Sequence, residues 1–185
     1  MESNLICIIG APCSGKSTLA GSIHTELKKL GKNSMFVQES ATDFIAEYGV
    51  PDSPLDQMVI FYKQLNRERM YIGSKDYIIC DSSSLLNYFY FRSLFNQKLS
   101  NKDIAIINHM QKEILKSLNS WTQIYYVNPI FGNNTDDGIR FHNTEDIIKL
   151  DRCIKSYLDI ENIKYTDMSD VRVEDRLKFI LRNLI

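Results

Sequence analysis

The sequence has no apolar run near the ~20 residues that a membrane-spanning helix needs, so nothing in it points to a bilayer. It begins Met1-Glu2-Ser3-Asn4, without the basic start and long apolar stretch of a secretory leader, and a cytoplasmic location is expected. Cysteine is scarce, with four in 185 residues and no C-x-x-C pair. Two of the four fall in apolar runs that read as strands, and the set reads as small hydrophobes in a reducing compartment rather than as disulfides or zinc ligands. Net charge is also nearly absent, at -1. A general attraction to nucleic acid usually leaves a basic chain, so a nucleic-acid partner is not favoured, although a local basic patch stays open. No linker, repeat or low-complexity tract interrupts the sequence. One domain over residues 1–185, with a real core, is expected.

What is present is an alternation of short apolar runs and amphipathic stretches. Residues 5–9 read as a buried central strand, and 34–37, 77–80, 123–127 and 164–168 as four more. Helices are expected over 15–30, 41–47, 55–73, 84–95, 101–118, 144–158 and 173–184. Leu19, Ile23 and Leu27 mark the buried stripe of the first. Met58, Phe61 and Leu65 mark that of the third, and Ile104, Ile107, Ile114 and Leu118 that of the fifth. Strands alternating with helices predict an α/β fold with a mostly parallel sheet covered on both faces. Tyr88, Phe89, Tyr90 and Phe91 are consecutive, so on one helix they cannot all face the core and at least one is expected at a cavity or the surface.

The first strand runs into Gly10-Ala11-Pro12-Cys13-Ser14-Gly15-Lys16-Ser17, a full G-x-x-x-x-G-K-[ST] pattern between a strand and a helix. Successive backbone N–H groups of such a loop, with those at the helix start, form a concavity for phosphate oxygens. Lys16 brings a point charge to the β- and γ-phosphates, and Ser17 offers a hydroxyl to Mg²⁺. Thr18 supports the nucleotide or caps the helix. This is a nucleoside triphosphate site.

Three further features point to phosphoryl transfer. Glu39 follows the second strand, at the sheet edge where ligands sit, and is placed to take a proton from an acceptor hydroxyl; it can also simply favour a helix N-terminus. Asp81 ends the third strand beside the phosphate loop, where it can support Mg²⁺ or meet the acceptor, or cap the helix after Ser82, Ser83 and Ser84. Residues 128–143 form a long polar segment with Asp136, Asp137, Gly138, Ile139, Arg140 and His142. A lid over about 130–145 is expected there, with Arg140 as the cation for the transferring group and Arg152 behind it.

These residues carry a resemblance. The chain resembles the small P-loop nucleoside kinases, most closely the kinase domain of the bacterial ribosylnicotinamide kinases and their relatives, many from phages. The resemblance rests on Gly10 to Thr18, Glu39, Asp81-Ser82, and Asp137-Gly138-Ile139-Arg140 ahead of Leu150-Asp151-Arg152. It implies a three-layer P-loop NTPase fold with five parallel strands in the order 2-3-1-4-5, an ATP donor, Mg²⁺ held by Ser17 and Asp81, and a small nucleoside-like acceptor. Kinases of the thymidylate type usually place an arginine after the strand-three aspartate to grip the acceptor's phosphate. Here three serines follow Asp81, which tilts the acceptor away from monophosphates unless Arg67, Arg69 or Arg92 substitutes.

A GTPase is disfavoured. Asn101-Lys102-Asp103 lacks the spacer of N-K-x-D, and no glycine stands in Asp81 to Ser84 for a D-x-x-G switch. The leading expectation is a Mg-ATP-dependent kinase for a small nucleoside-like molecule. The alternatives are a kinase for a monophosphate or for modified bases in DNA, using a groove near Arg67, Arg69, Lys75 and Arg92, and a non-catalytic ATP-binding sensor, which would need neither Glu39 nor Asp81. Monomer and homodimer both remain open.

Overall fold

The computed structural model describes residues 3–94, 99–118, 120–130 and 144–185, the side chains of 92–94 excepted. In chain order the elements are β1 (Asn4–Ile9), α1 (Lys16–Lys29), β2 (Ser34–Val37), α2 (Ser40–Tyr48), α3 (Pro54–Arg69) and β3 (Tyr77–Asp81). They continue as α4 (Ser84–Leu94), α5 (Asn101–Leu118), β4 (Gln123–Tyr126), α6 (Thr144–Ile160), β5 (Thr166–Asp167) and α7 (Val173–Leu184). The five strands form one parallel sheet in the order β2-β3-β1-β4-β5. The expected α/β architecture and strand order are those observed.

A strand that is apolar at every position from Leu5 to Ile9 has two faces to bury, and β1 buries both. Leu5, Cys7 and Ile9 point to one side, where they join Ile78, Cys80 and Tyr126 under residues of α3, α4, α5 and α6. Ile6 and Ile8 point to the other, where Ile79, Tyr125 and Met168 meet Ala20, Ile23 and Leu27 of α1 and Ile180 of α7. The side-chain period of two along each strand thus assigns alternate residues to two cores. At about 25 cal/mol per Å² of buried apolar surface, these two cores are the main stabilising term.

Some stripes differ from expectation. In α1, Ala20 is fully buried and Leu19 only partly so. In α5, Ile104 is 45% exposed, because the helix turns Ile107, Met110 and Ile114 inward. In α3, Met58 is only partly buried, and Gln57, Ile60, Gln64 and Glu68 take the inner face with Phe61 and Leu65. Among the described residues no helix is long and apolar enough to cross a membrane.

Candidate active site

The phosphate loop is built by close backbone approach. At Gly10 a Cβ would lie 2.1 Å from the Val127 carbonyl oxygen, in the strand exit that pairs through Val127 N–H to Ile9 O at 2.8 Å. Only glycine fits there. Gly15, at φ 77°, takes the left-handed turn that starts α1, and first-turn N–H groups have no carbonyl of their own helix to bond. The Lys16 ammonium is folded over the loop and donates to Ala11 O at 3.0 Å and Ser14 Oγ at 3.4 Å. Ile130 N–H donates to Cys13 O at 2.8 Å and ties the segment after β4 to the loop.

Parallel strands bring their carboxyl ends to one edge. Asp81 ends β3 there and is buried at 5% exposure, while Glu39 stands half-buried just past β2. Ser82 joins them: its hydroxyl donates to Glu39 Oε1 at 3.2 Å and its N–H to Ile8 O at 3.1 Å. Its backbone is left-handed, φ 66°, a conformation that costs a non-glycine residue roughly 1 kcal/mol or more. The neighbouring contacts hold it.

Lys16, Ser17, Glu39 and Asp81 all line one cleft of about 990 Å³, at the upper end of small-molecule sites. Gln38, Ile45, Gln57, Ile60, Asn87 and Tyr90 also line it. The charged groups on its walls are Lys16 and Lys149 against Glu39, Asp43, Asp81 and Asp146; no described arginine lines it. Arg67 pairs with Asp43 Oδ2 at 2.5 Å, and Arg69 with Ser117 Oγ at 2.7 Å and Glu113 at 3.6 Å. Neither lines the cleft as a phosphate grip. Arg140, Asp136, Asp137, Gly138, Ile139 and His142, the core of the expected lid, lie outside the described residues. Arg152 is exposed and not on the cleft wall; Lys149, one turn earlier on α6, is.

Of the four consecutive aromatics, Tyr88, Phe89 and Phe91 are core and Tyr90 lines the cleft. Phe44 is buried and Tyr48 is 64% exposed, and neither lines the cleft. Residues missed in the sequence are Gln57, Asn87 and Lys149. Gln57 and Asn87 are buried polar side chains on helices, and a polar residue on an otherwise apolar stripe is the signal that finds them. Arg176 of α7 was missed too. It is 4% exposed and donates to Val171 O at 3.3 Å, Ser14 O at 3.5 Å and Asn128 Oδ1, beneath the phosphate loop. Burial holds its guanidinium below the ordinary value.

Residues 5–176 match the sequence pattern of a family described as an AAA domain. The chain belongs to that AAA-domain family. No curated protein matches it in sequence. A solved structure of deoxyadenosine kinase from M. mycoides with bound dATP superposes with a TM-score of 0.64 at 16% identity, covering 97% of each chain. This AAA-domain protein therefore has a kinase-like P-loop fold, the fold of a nucleotide-binding protein.

Proposed function

We propose that this AAA-domain protein is a Mg-ATP-dependent kinase, one unit over residues 1–185, that phosphorylates an uncharged nucleoside-like acceptor. The observation that carries the reading is the shared cleft, with the phosphate loop at one end and Glu39 and Asp81 on its wall. A sensor needs no pair of carboxylates at that edge. The deoxyadenosine kinase likeness supports it at the level of fold.

In this reading the first-turn N–H groups of α1 and Lys16 bind the β- and γ-phosphates. An acceptor hydroxyl oxygen attacks the γ-phosphorus, the bond to the β-bridging oxygen breaks, and ADP leaves. The hydroxyl proton passes to Glu39, which is half-buried and within reach of the cleft. The Ser17 hydroxyl and the Asp81 carboxylate are hard oxygen donors on that cleft and fit Mg²⁺. When bound, the ion supplies neutralisation of the phosphate charge. Lys149, on the cleft wall, adds positive charge to that of Lys16.

The acceptor side supports the substrate class. It has no described arginine for a substrate phosphate. It offers instead the Gln57 and Asn87 amides and the Tyr90 ring, suited to the edge and face of a flat heterocycle. The Asn87 amide nitrogen is buried with no hydrogen-bond partner among the described residues, as expected of a donor that meets a ligand.

The test is ADP release with Mg-ATP against nucleosides, ribosylnicotinamide, nucleoside monophosphates and short DNA. A nucleoside or ribosylnicotinamide should raise turnover well above the ATP-only background. Background rates with every acceptor would sink the kinase reading, and faster turnover of monophosphates would overturn the acceptor class.

A further inference from the structure

The buried face of α3 carries a polar stripe that packing does not explain. Gln57, Gln64 and Glu68 are 4%, 0% and 1% exposed. At 100° and 1.5 Å per residue they fall within about 40° of one another along roughly 16 Å of helix, beside Phe61 and Leu65. Buried amides and carboxylates destabilise a core unless they are bonded. Gln57 lines the cleft. The other two reach the starts of two different helices. Gln64 Oε1 accepts from Ser40 N–H at 2.9 Å, while Ser40 Oγ donates to the Ile60 carbonyl at 3.0 Å. Glu68 accepts from Ser84 N–H at 2.6 Å and from Ser84 Oγ at 2.9 Å.

Ser40 opens α2 and directly follows Glu39. Ser84 opens α4, three residues after Asp81. First-turn N–H groups are normally satisfied by the helix's own cap. Glu39 occupies the cap position of α2 and makes no cap bond; its carboxylate accepts from Ser82 instead. Gln64 performs the capping from another helix and leaves Glu39 to the cleft. Glu68 does the same for α4 and closes the tight turn in which Ser82 is left-handed.

We propose that Gln64 and Glu68 are positioning residues, and that α3 is a ruler fixing the ends of β2 and β3 so that Glu39, Ser82 and Asp81 meet. Its kinetic part rests on the kinase reading; its structural part does not. A shift of about 1 Å in a catalytic group is worth on the order of 10²-fold in rate, so holding these backbones matters more than the stability of either bond.

The experiment uses the full chain with Gln64→Met and Glu68→Gln, checked for folding by thermal melting. ATP-analogue affinity, kcat on the best acceptor and amide hydrogen exchange at Ser40 and Ser84 are measured. In Gln64→Met, exchange at Ser40 should quicken while Ser84 stays protected. Its kcat should fall roughly 10- to 100-fold with ATP affinity unchanged, and adding Glu39→Gln should give little further loss, as for groups acting as one unit. Glu68→Gln keeps an acceptor for Ser84 N–H and should retain most activity. Ser84→Ala removes one of the two Glu68 bonds gently and should lower kcat by a smaller factor, which covers the case of Gln64→Met failing to fold. Full kcat in Gln64→Met, or in Ser84→Ala when the former does not fold, would overturn the ruler, as would a fully additive loss with Glu39→Gln. If the wild type phosphorylates no acceptor, the kinase reading fails by itself. Unchanged exchange at Ser40 then sinks the ruler independently.

Discussion

Gly10 is held by a distance rather than by flexibility. Its missing Cβ is what lets the loop pack there, because a Cβ would lie 2.1 Å from the Val127 carbonyl oxygen. Gly10→Ala should cost at least about 2 kcal/mol, since backbone and not a side chain must give way; chemical denaturation measures it, and an unchanged midpoint would contradict the packing described. In the proposed function, Lys16 serves binding and Glu39 serves chemistry. Lys16→Ala should weaken ATP binding and lower transfer by roughly 10²–10³-fold, the scale of a lost charge-stabilising donor. Glu39→Gln should bind ATP as before and transfer about 10²–10⁴-fold more slowly, the scale of a lost general base. Calorimetry with an ATP analogue beside steady-state kinetics distinguishes them. Wild-type rates in the glutamine variant would remove Glu39 as base.

At the scale of elements, α3 holds a buried acid whose protonation follows from its setting. Burial pushes the Glu68 carboxyl up to about 7 from its ordinary 4.5, and its bonds from Ser84 offset this only partly. The folded state therefore holds a proton that the unfolded chain releases at lower pH. The stabilising contribution is full below the unfolded value of 4.5 and is lost as pH rises through about 7. Measured against Glu68→Gln, wild-type stability should decline by up to about 3 kcal/mol between those limits. Urea titrations of both proteins across that pH range check it; a pH-independent difference would mean that Glu68 stays ionised. The same helix shows why amphipathicity alone misreads it, because its inner face is half polar.

For the molecule as a whole, the cleft joins four acidic side chains with Lys16 and Lys149. That balance repels a polyanion and leaves the phosphate loop as the main anion site. Nucleosides should exceed their monophosphates in kcat/KM by about tenfold or more. The rate should change less than about threefold between 50 and 200 mM salt, where multi-phosphate contacts would cost orders of magnitude. A steep salt dependence with short DNA would reverse the preference.

Several features were legible without coordinates. The run Leu5 to Ile9 must be a doubly buried strand because it has no polar face, and Gly10 to Ser17 names its own chemistry through local spacing. Asp81 at the end of an apolar run is placed by the same logic, since parallel strands share one edge. Periodicity was less reliable where helices pack on several partners, as at Ile104 and Met58. What only the tertiary structure decided is the joining of distant residues: the Ser82–Glu39 bond, Gln57, Asn87 and Tyr90 on one wall, and the reach of Gln64 and Glu68 to Ser40 and Ser84. These contacts span 16 to 43 positions of chain. Such separations are closed by the parallel crossovers of the sheet, so the sequence names the candidate groups, and the tertiary structure sets Glu39 and Asp81 on one cleft.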